Sequence, residues 1–208
     1  MNVQAVAAKE IGLICAADPV RAILDGRKTQ TRRIIKPPPQ PISATWGDIE
    51  ESETYPGEWF QWCDGGDKGP SFTCPYGAVG DRLWVREKWG YHPGSSDSEH
   101  LVVYAATPKV PGWEPRRGPV EDFVLWRSPI HMPRWASRLT LEITDLKVEE
   151  LCAISWRDCI AEGVIAPDGP FGPNYIDAFS ILWDRINGKR APWASNPWVW
   201  VISFRRLT

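Results

Sequence analysis

The sequence has no run of about 18 consecutive apolar residues, the length needed for a membrane-spanning helix. Residues 1–17 lack the basic start and long apolar stretch of a secretory signal peptide. An excess of basic residues is also missing, because 24 Lys and Arg face 26 Asp and Glu, for a formal net charge of -2. This balance excludes a protein that holds nucleic acid by bulk charge, so any anion-binding site must be local. We expect a cytoplasmic protein with no membrane partner.

The five cysteines are odd in number and contain no C-x-x-C pair, which is typical of free thiols in a reducing compartment. A zinc site built from Cys63, Cys74 and His92 is conceivable, but its spacing matches neither a zinc finger nor a zinc ribbon. Walker loops, G-x-G-x-x-G and G-x-S-x-G motifs and His pairs at metal-binding spacing are all absent. We therefore expect no metal and no cofactor.

What the chain does contain is enough apolar material for one domain, since 43% of its 208 residues are hydrophobic and 24% are charged. Its unusual residues are 13 Trp and 20 Pro. Trp rings bury a large area in a core, and they also stack on nucleobases. Composition leaves both roles open.

Three segments carry the start and stop signals of helices. The first begins at Asp18 as N-cap and ends before Gly26. The second covers residues 156–162 after the capping residue Ser155, and the third covers residues 175–187 with apolar side chains at helical spacing. Strands are predicted for residues 29–35, 82–89, 101–105, 122–127, 139–146 and 198–207.

Two long segments, about residues 37–77 and 92–119, are dense in Pro, Gly and Trp and have no sustained periodicity. We interpret both as irregular loop insertions, and a lid is one possible role of the first. Regular βαβ alternation is missing elsewhere, and short strands separated by short helices favour a small mixed α+β barrel over a doubly wound sheet. A single domain, residues 1–208, is therefore predicted.

The densest local signal is a basic segment. Five basic residues lie within the eleven positions 26–36 of an otherwise slightly acidic chain: Arg27, Lys28, Arg32, Arg33 and Lys36. Phosphate is the natural ligand of such a cluster. The alternative is that these charges are solvated where a helix ends, in which case Thr31 is an ordinary strand residue.

Several ordered motifs resemble the ASCH family. Residues 26–33, GRKTQTRR, match its G-x-K-T-x-T-x-R signature, and residues 80–87, GDRLWVRE, resemble its G-D-x-L-x-V strand. Residues 161–163, AEG, resemble the A-E-G that ends a helix in many members. Agreement of several motifs in order is stronger than any one of them. The arrangement is especially similar to ASCH proteins of bacteriophage and prophage genomes.

The resemblance implies a barrel like that of the PUA domain, to which the two insertions are additions. It also implies two kinds of function. ASCH domains were first regarded as RNA-binding modules, whereas small bacterial members hydrolyse N(4)-acetylcytidine to cytidine and acetate with a Lys, a Thr and a Glu. By motif position these residues are Lys28, Thr31 and Glu162. Arg33 matches the final basic residue of the signature and is a candidate for orienting the substrate or stabilising an oxyanion.

In the scheme that the resemblance implies, Thr31 attacks the amide carbonyl, Lys28 takes its proton, and Glu162 positions the lysine or the exocyclic nitrogen of the substrate. A Thr hydroxyl needs such a base. Neighbouring arginines favour loss of the lysine proton, whereas a direct carboxylate contact favours the ammonium. Geometry adds a condition, because residues three apart in a regular strand point to opposite faces. Lys28 and Thr31 converge only if Lys28 lies in the turn after Gly26.

Further candidate substrate-binding residues carry weaker signals. Arg27 belongs to the basic segment, and His131, in a Pro-bounded loop, either contacts a base or phosphate or is structural. Glu87 follows an apolar strand and either lines the cavity or is a surface charge. Trp84 and Trp135 are the candidate stacking rings, with core packing as the alternative.

The sequence thus predicts an ASCH-like amidohydrolase that acts on an acylated cytidine or a related modified nucleoside. A non-catalytic module that binds RNA or modified DNA is the alternative, and an ASCH-type ribonuclease is a third. The expected partner is a modified nucleoside or RNA, with single-stranded nucleic acid as a further candidate. The oligomeric state is left open.

Overall fold

The computed structural model describes residues 8–36, 49–52, 57–61, 71–91, 101–109, 119–167 and 174–208. Within them the fold is mixed α+β, as predicted. The helices are α1 (Ala17–Leu24), α2 (Trp156–Ala161) and α3 (Tyr175–Asn187). The strands are β1 (Glu10–Ile14), β2 (Gln30–Ile34), β3 (Ile49–Glu51), β4 (Glu58–Gln61), β5 (Phe72–Thr73), β6 (Arg82–Arg86), β7 (Trp89–Tyr91), β8 (Val102–Tyr104), β9 (Leu125–Arg127), β10 (Thr140–Glu150) and β11 (Trp198–Arg206).

The largest sheet has five strands in the order β1-β6-β10-β11-β2. β1 and β6 are parallel, and the other neighbours are antiparallel. In the part of the chain that the structure describes, the edge strands β1 and β2 do not pair, so the backbone ladder is not closed. The edges nevertheless approach each other, because Arg33 of β2 donates a hydrogen bond from Nη2 to the Ile14 carbonyl at 2.9 Å.

β11 is buried on both faces, which explains its nearly continuous apolar sequence. One face places Trp200, Ile202 and Phe204 in the larger core, as the alternation predicts. The other face places Val199 and Val201 in a second core beneath α2 and α3. The two helices therefore cover one side of the sheet, while α1 packs on the other core.

Helix α1 differs from the prediction at its N-terminus and agrees with it at its C-terminus. Ala16 occupies the N-cap without a side-chain hydrogen bond, and Asp18 lies in the first turn, where it pairs with Arg21. Pro19 is also in the first turn, where a missing N–H costs no intrahelical bond, so the helix begins before the predicted cap. Gly26 follows the helix with a φ of +73°, the left-handed conformation that favours glycine.

The first insertion is more regular than predicted. Its described residues form a three-stranded sheet of order β3-β4-β5, whose strands are too short to show a period in the sequence. Buried Trp59 of β4 packs edge-to-face on Trp200 of the main sheet, with ring centroids 5.9 Å apart. The interpretation of this segment as wholly irregular is therefore corrected. The possible role of the first insertion as a lid stays a prediction. Most of the second insertion lies outside the described residues.

Other element predictions are refined. The predicted strand 82–89 is two strands, since β7 leaves the main sheet and pairs with β8 and β9. β1 was not predicted, because its five residues include a glycine and only one of them is fully buried. Among the described residues, none of the helices is both long and apolar enough to span a bilayer.

Candidate functional site

A cavity of about 330 Å³ lies between the end of β1, α1, the start of β2, the end of α2 and α3. Lys28, Thr31 and Glu162 all line it. Each is nearly buried, with exposed fractions of 6%, 5% and 8%. The remaining wall is mainly apolar and is formed largely by α1 and α3: Pro19, Ala22, Phe179, Leu182, Trp183 and Ile186. The three side chains assigned by motif thus face one enclosed space.

The turn after α1 brings Lys28 into the cavity. Lys28 lies before β2 and forms an isolated antiparallel bridge with Glu162, and the Thr29 amide donates to the Ala161 carbonyl at 2.8 Å. Lys28 is therefore outside the regular strand that contains Thr31, so strand alternation does not separate the two side chains. This is the arrangement that convergence requires.

Helix α2 positions Glu162 at its C-terminal end. The helix starts with a capping box, in which Ser155 Oγ accepts from the Asp158 amide at 3.2 Å, as the Ser155 prediction anticipates. It ends at Gly163, whose φ is +81°. A Cβ there would lie 2.8 Å from Ala22 Cβ and 3.0 Å from Lys28 Cβ, so only glycine lets α2 approach the turn this closely. The close approach gives the A-E-G motif a physical reason.

Lys28 and Glu162 form a buried ion pair. Lys28 Nζ donates to Glu162 Oε2 and also to the Glu162 backbone carbonyl at 3.0 Å. Burying two charges is costly in free energy unless they are paired and hydrogen-bonded, and both conditions are met here. The ammonium is therefore held at one place on the cavity wall.

Arg32 extends this pair into a network that the motifs did not indicate. Its side chain is only 1% exposed, and Nη1 lies 3.3 Å from Glu162 Oε1. Glu149 accepts from Nε at 3.0 Å and from Nη2 at 2.6 Å, and Asp158 Oδ2 lies 3.8 Å from Nη2. The only sequence signal for this network is a charged residue in the middle of a strand, where burial demands a partner.

Asp158 shows how the network acts on a carboxyl group. Burial by itself would raise the pKa of Asp158, but the hydrogen bond from Ser155 and the charge of Arg32 together outweigh it. The net result is a pKa below the ordinary value of 3.8. Asp158 is consequently ionised at neutral pH and contributes negative charge beside Arg32.

Arg33 and Cys15 line the cavity at the edge of β1. Arg33 Nη2 donates to the Ile14 carbonyl at 2.9 Å and lies 3.9 Å from Cys15 Sγ. Arg33 Nε is buried and has no acceptor within the described residues. Burial raises the pKa of the Cys15 thiol, which keeps it protonated at neutral pH and makes it a poor nucleophile.

The structure does not bring the other candidate residues into this cavity. Arg27 is exposed, donates to Asp25 at 2.9 Å and lines a neighbouring cleft of about 470 Å³. His131 is exposed in a short 3-10 turn, Pro129–His131. Trp84 lies beside Gly12, with the Arg86 guanidinium 5.2 Å from its ring centroid. Successive side chains of a strand point to opposite faces, so Trp84 points away from the face that contains buried Leu83 and Val85.

Trp135 is also outside the cavity lining and packs with other aromatic rings. It is 60% exposed, lies edge-on to Trp89 at 6.2 Å, and stacks on Tyr91 with centroids 6.5 Å apart. Its neighbours belong to the β8-β7-β9 sheet, and its role as a stacking ring stays a prediction.

Glu87 is neither a cavity wall nor a surface charge, so both interpretations are corrected. It is 1% exposed and forms two hydrogen bonds with Arg138, from Nε at 2.9 Å and from Nη2 at 3.0 Å. Burial raises the pKa of Glu87 although Arg138 opposes the shift. The position at the end of β6 is explained by this ion pair, which fills a polar gap in the fold.

Within the described residues no group of three or more His, Cys, Asp or Glu side chains could hold a metal ion. Cys63 and His92 lie outside the described residues, and burial raises the pKa of Cys74 to about 11. The expectation of no metal therefore stays a prediction, and the zinc set remains the alternative that its spacing disfavours.

No protein-family model matches the chain, and comparisons with curated proteins and with solved structures gave no match either. The resemblance to the ASCH family therefore stays a prediction from the sequence motifs.

Proposed function

We propose that the protein is an ASCH-like amidohydrolase that cleaves the N(4)-acyl amide of an acylated cytidine or a related modified nucleoside. The observation that carries the proposal is that Lys28, Thr31 and Glu162 line one cavity, although Lys28 and Glu162 are 134 positions apart. The motifs identify these residues from sequence alone, without any information about their three-dimensional positions. A chance match of motifs would not be expected to bring them together.

In the proposed reaction, Thr31 Oγ attacks the amide carbonyl carbon and its proton passes to Lys28 Nζ, while Lys28 passes one of its own protons to Glu162 Oε2 along their hydrogen bond. The tetrahedral intermediate collapses with cleavage of the C–N bond, and the proton passes to the exocyclic nitrogen of the departing cytidine. Water then hydrolyses the acyl ester on Thr31, which releases the carboxylic acid and restores the hydroxyl. Glu162 holds Lys28 in place throughout.

The cavity suits such a substrate in size and polarity. Its 330 Å³ falls at the lower end of the range of about 300–1,000 Å³ that is common for small-molecule sites. An apolar wall formed by α1 and α3 fits the faces of a pyrimidine ring, and Lys28, Thr31 and Glu162 supply polar groups to the same cavity. Arg33 is a candidate for stabilising the oxyanion, because it lines the cavity and carries a positive charge.

We also propose that the five-stranded sheet belongs to a PUA-like barrel. Support comes from the Arg33 hydrogen bond to the Ile14 carbonyl, which links the two edge strands beside the cavity. A barrel that closes through side chains at this point would place the cavity at its mouth.

The test is hydrolysis of N(4)-acetylcytidine by the purified protein, followed as acetate release. We expect turnover by the wild type and none by Thr31→Ala, because no other hydroxyl replaces the nucleophile. Thr144→Ala is the matched control, since Thr144 is an exposed residue of β10 and does not line the cavity. Full activity of Thr31→Ala, or no activity of the wild type, would contradict the proposal.

A second candidate function is non-catalytic binding of RNA or modified DNA. It is favoured by the exposed ring of Trp135 and by Arg127, whose guanidinium lies 4.9 Å from the centroid of the neighbouring Tyr91 ring. Aromatic rings beside cations are typical of surfaces on which bases stack. Binding of a labelled oligonucleotide should then weaken as salt rises. Absence of binding to single-stranded RNA and DNA at low salt would exclude this function.

A further inference from the structure

A single buried guanidinium connects the proposed catalytic pair to the rest of the fold. All three nitrogens of Arg32 are engaged. Nε and Nη2 contact Glu149 Oε1 at 3.0 and 2.6 Å, and Nη1 contacts Gln30 Oε1 at 2.6 Å and Glu162 Oε1 at 3.3 Å. With its donors occupied in this way, Arg32 has little capacity left for a substrate, although it borders the cavity.

The two oxygens of Glu162 are divided between two cations. Lys28 Nζ contacts Oε2, and Arg32 Nη1 contacts Oε1. The terminal torsion of a glutamate is broad and loosely restrained, so one contact alone leaves the carboxylate plane free to turn. Contacts on both oxygens fix that plane. They therefore also fix the position of Lys28 Nζ, which is hydrogen-bonded to Oε2.

The position of Arg32 is itself set by two other strands. Glu149 lies on β10, and Gln30 Nε2 reaches Ser203 Oγ of β11 at 3.3 Å. A planar guanidinium presents its donors in a rigid fork, so contacts at one side determine where the other side points. The central strands of the sheet therefore determine where Nη1 meets Glu162.

We propose that Arg32 is a positioning residue of the amidohydrolase site, acting through Glu162 to orient Lys28 toward Thr31. The inference rests on the proposed function and adds to it a residue that the ASCH signature does not specify, since Arg32 occupies a variable position of G-x-K-T-x-T-x-R. Arg32 exerts its effect on the chemical step and leaves substrate binding nearly unchanged.

The experiment compares steady-state hydrolysis of N(4)-acetylcytidine by the wild type and by Arg32→Gln and Arg32→Lys. We expect kcat of Arg32→Gln to fall about 10- to 100-fold, the range that a misplacement of about 1 Å produces, with KM within about threefold of the wild-type value. Arg32→Lys keeps the charge but cannot contact Glu149 and Glu162 together. It should recover part of kcat, and it provides the same comparison if Arg32→Gln does not fold.

Arg138→Gln is the matched control, because Arg138 also pairs with a buried glutamate, Glu87, and does not line the cavity. Its kcat should stay within about twofold of the wild type once folded protein is counted, since distant sites act independently. An equal loss of kcat in Arg138→Gln and Arg32→Gln would show a general effect of instability and overturn the inference.

Other results would also overturn it. Unchanged kcat in folded Arg32→Gln or Arg32→Lys would make Arg32 purely structural, and a raised KM at unchanged kcat would make it a substrate-binding residue. If the wild type itself releases no acetate, the proposed function fails and the inference fails with it, a result distinct from any difference among variants.

Discussion

Two buried glutamates show how similar ion pairs serve different ends at the scale of single residues. Glu162 shares its carboxylate between Lys28 and Arg32 beside a cavity. Glu87 pairs with Arg138 and does not border the cavity. Both glutamates lie in segments that resemble family motifs. Only their contacts distinguish Glu162, a proposed site residue, from Glu87, which forms a structural ion pair. The distinguishing feature is the cavity next to the Glu162 carboxylate, which cannot be predicted from the residue type.

The buried carboxyl of Glu87 should give a measurable pH dependence of stability. Its pKa in the folded protein lies above the ordinary value of 4.5, so between these two values the folded state binds more protons than the unfolded state. The contribution of Glu87 to the free energy of unfolding is then fully present below pH 4.5 and is lost as the pH rises through the folded pKa.

We therefore expect the stability of the wild type relative to Glu87→Gln to decrease from pH 4 toward pH 7, measured by urea unfolding at each pH. Glu142→Gln is the control, because Glu142 pairs with exposed Arg205 on the surface. A difference that grows with pH over this range would contradict the assigned direction of the pKa shift.

At the scale of elements, the site depends on how α1 and α2 end. Both are followed by a glycine with positive φ, Gly26 at +73° and Gly163 at +81°. The surroundings differ, because a Cβ at Gly26 would meet nothing within 4 Å, whereas one at Gly163 would press on Ala22 and Lys28. A side chain at Gly26 would therefore cost free energy only through the backbone conformation. A side chain at Gly163 would add the cost of steric crowding.

Replacement of each glycine by alanine should reveal that difference. We expect Gly26→Ala to lower the free energy of unfolding by about 1–2 kcal/mol, the cost of a left-handed residue with a Cβ. Gly163→Ala should lose about 1–3 kcal/mol more through overpacking, and it should reduce acetate release by displacing Lys28. Thermal or urea unfolding measures the first effect. Equal losses in both variants would show that the contact with Lys28 is not close.

At the scale of the whole molecule, tryptophan connects parts of the chain that have no periodic pattern. Trp59, in the first insertion, is 7% exposed and packs against Trp200 and the larger core. The small β3-β4-β5 sheet is thus attached to the main sheet through an aromatic contact. The abundance of Trp in the composition is partly explained by this role in packing.

Truncation of Trp59 tests that attachment. Trp59→Ala should lower the free energy of unfolding by about 3–5 kcal/mol, the usual cost of removing a buried aromatic side chain. Trp156→Ala is the control, because Trp156 is 52% exposed and its loss should cost within about 0.5 kcal/mol. Chemical denaturation of both variants provides the comparison. A loss of similar size in the two would mean that the insertion sheet contributes little to the fold.

The local elements that carry the proposed site were predictable from the sequence. Alternation of apolar side chains predicted β10 and β11, and capping by Ser155 together with Gly163 predicted both ends of α2. These signals act over a few residues, through backbone conformation and the burial of one face, and so they can be read without the rest of the molecule. The N-cap of α1 was wrong, because a proline fits several positions of the first turn.

The sequence by itself determined the α+β class, the order of most elements and the residue types that chemistry at Lys28, Thr31 and Glu162 would require. Only the tertiary structure decided that these side chains border one cavity, that Arg32 and Glu149 support them, and that Glu87 and Trp135 lie elsewhere. The reason is physical. A side chain's partners across the fold are set by the packing of distant strands and helices. Local propensity carries no information about which residues 100 or more positions away will meet. The 134-residue separation of Lys28 and Glu162 illustrates this.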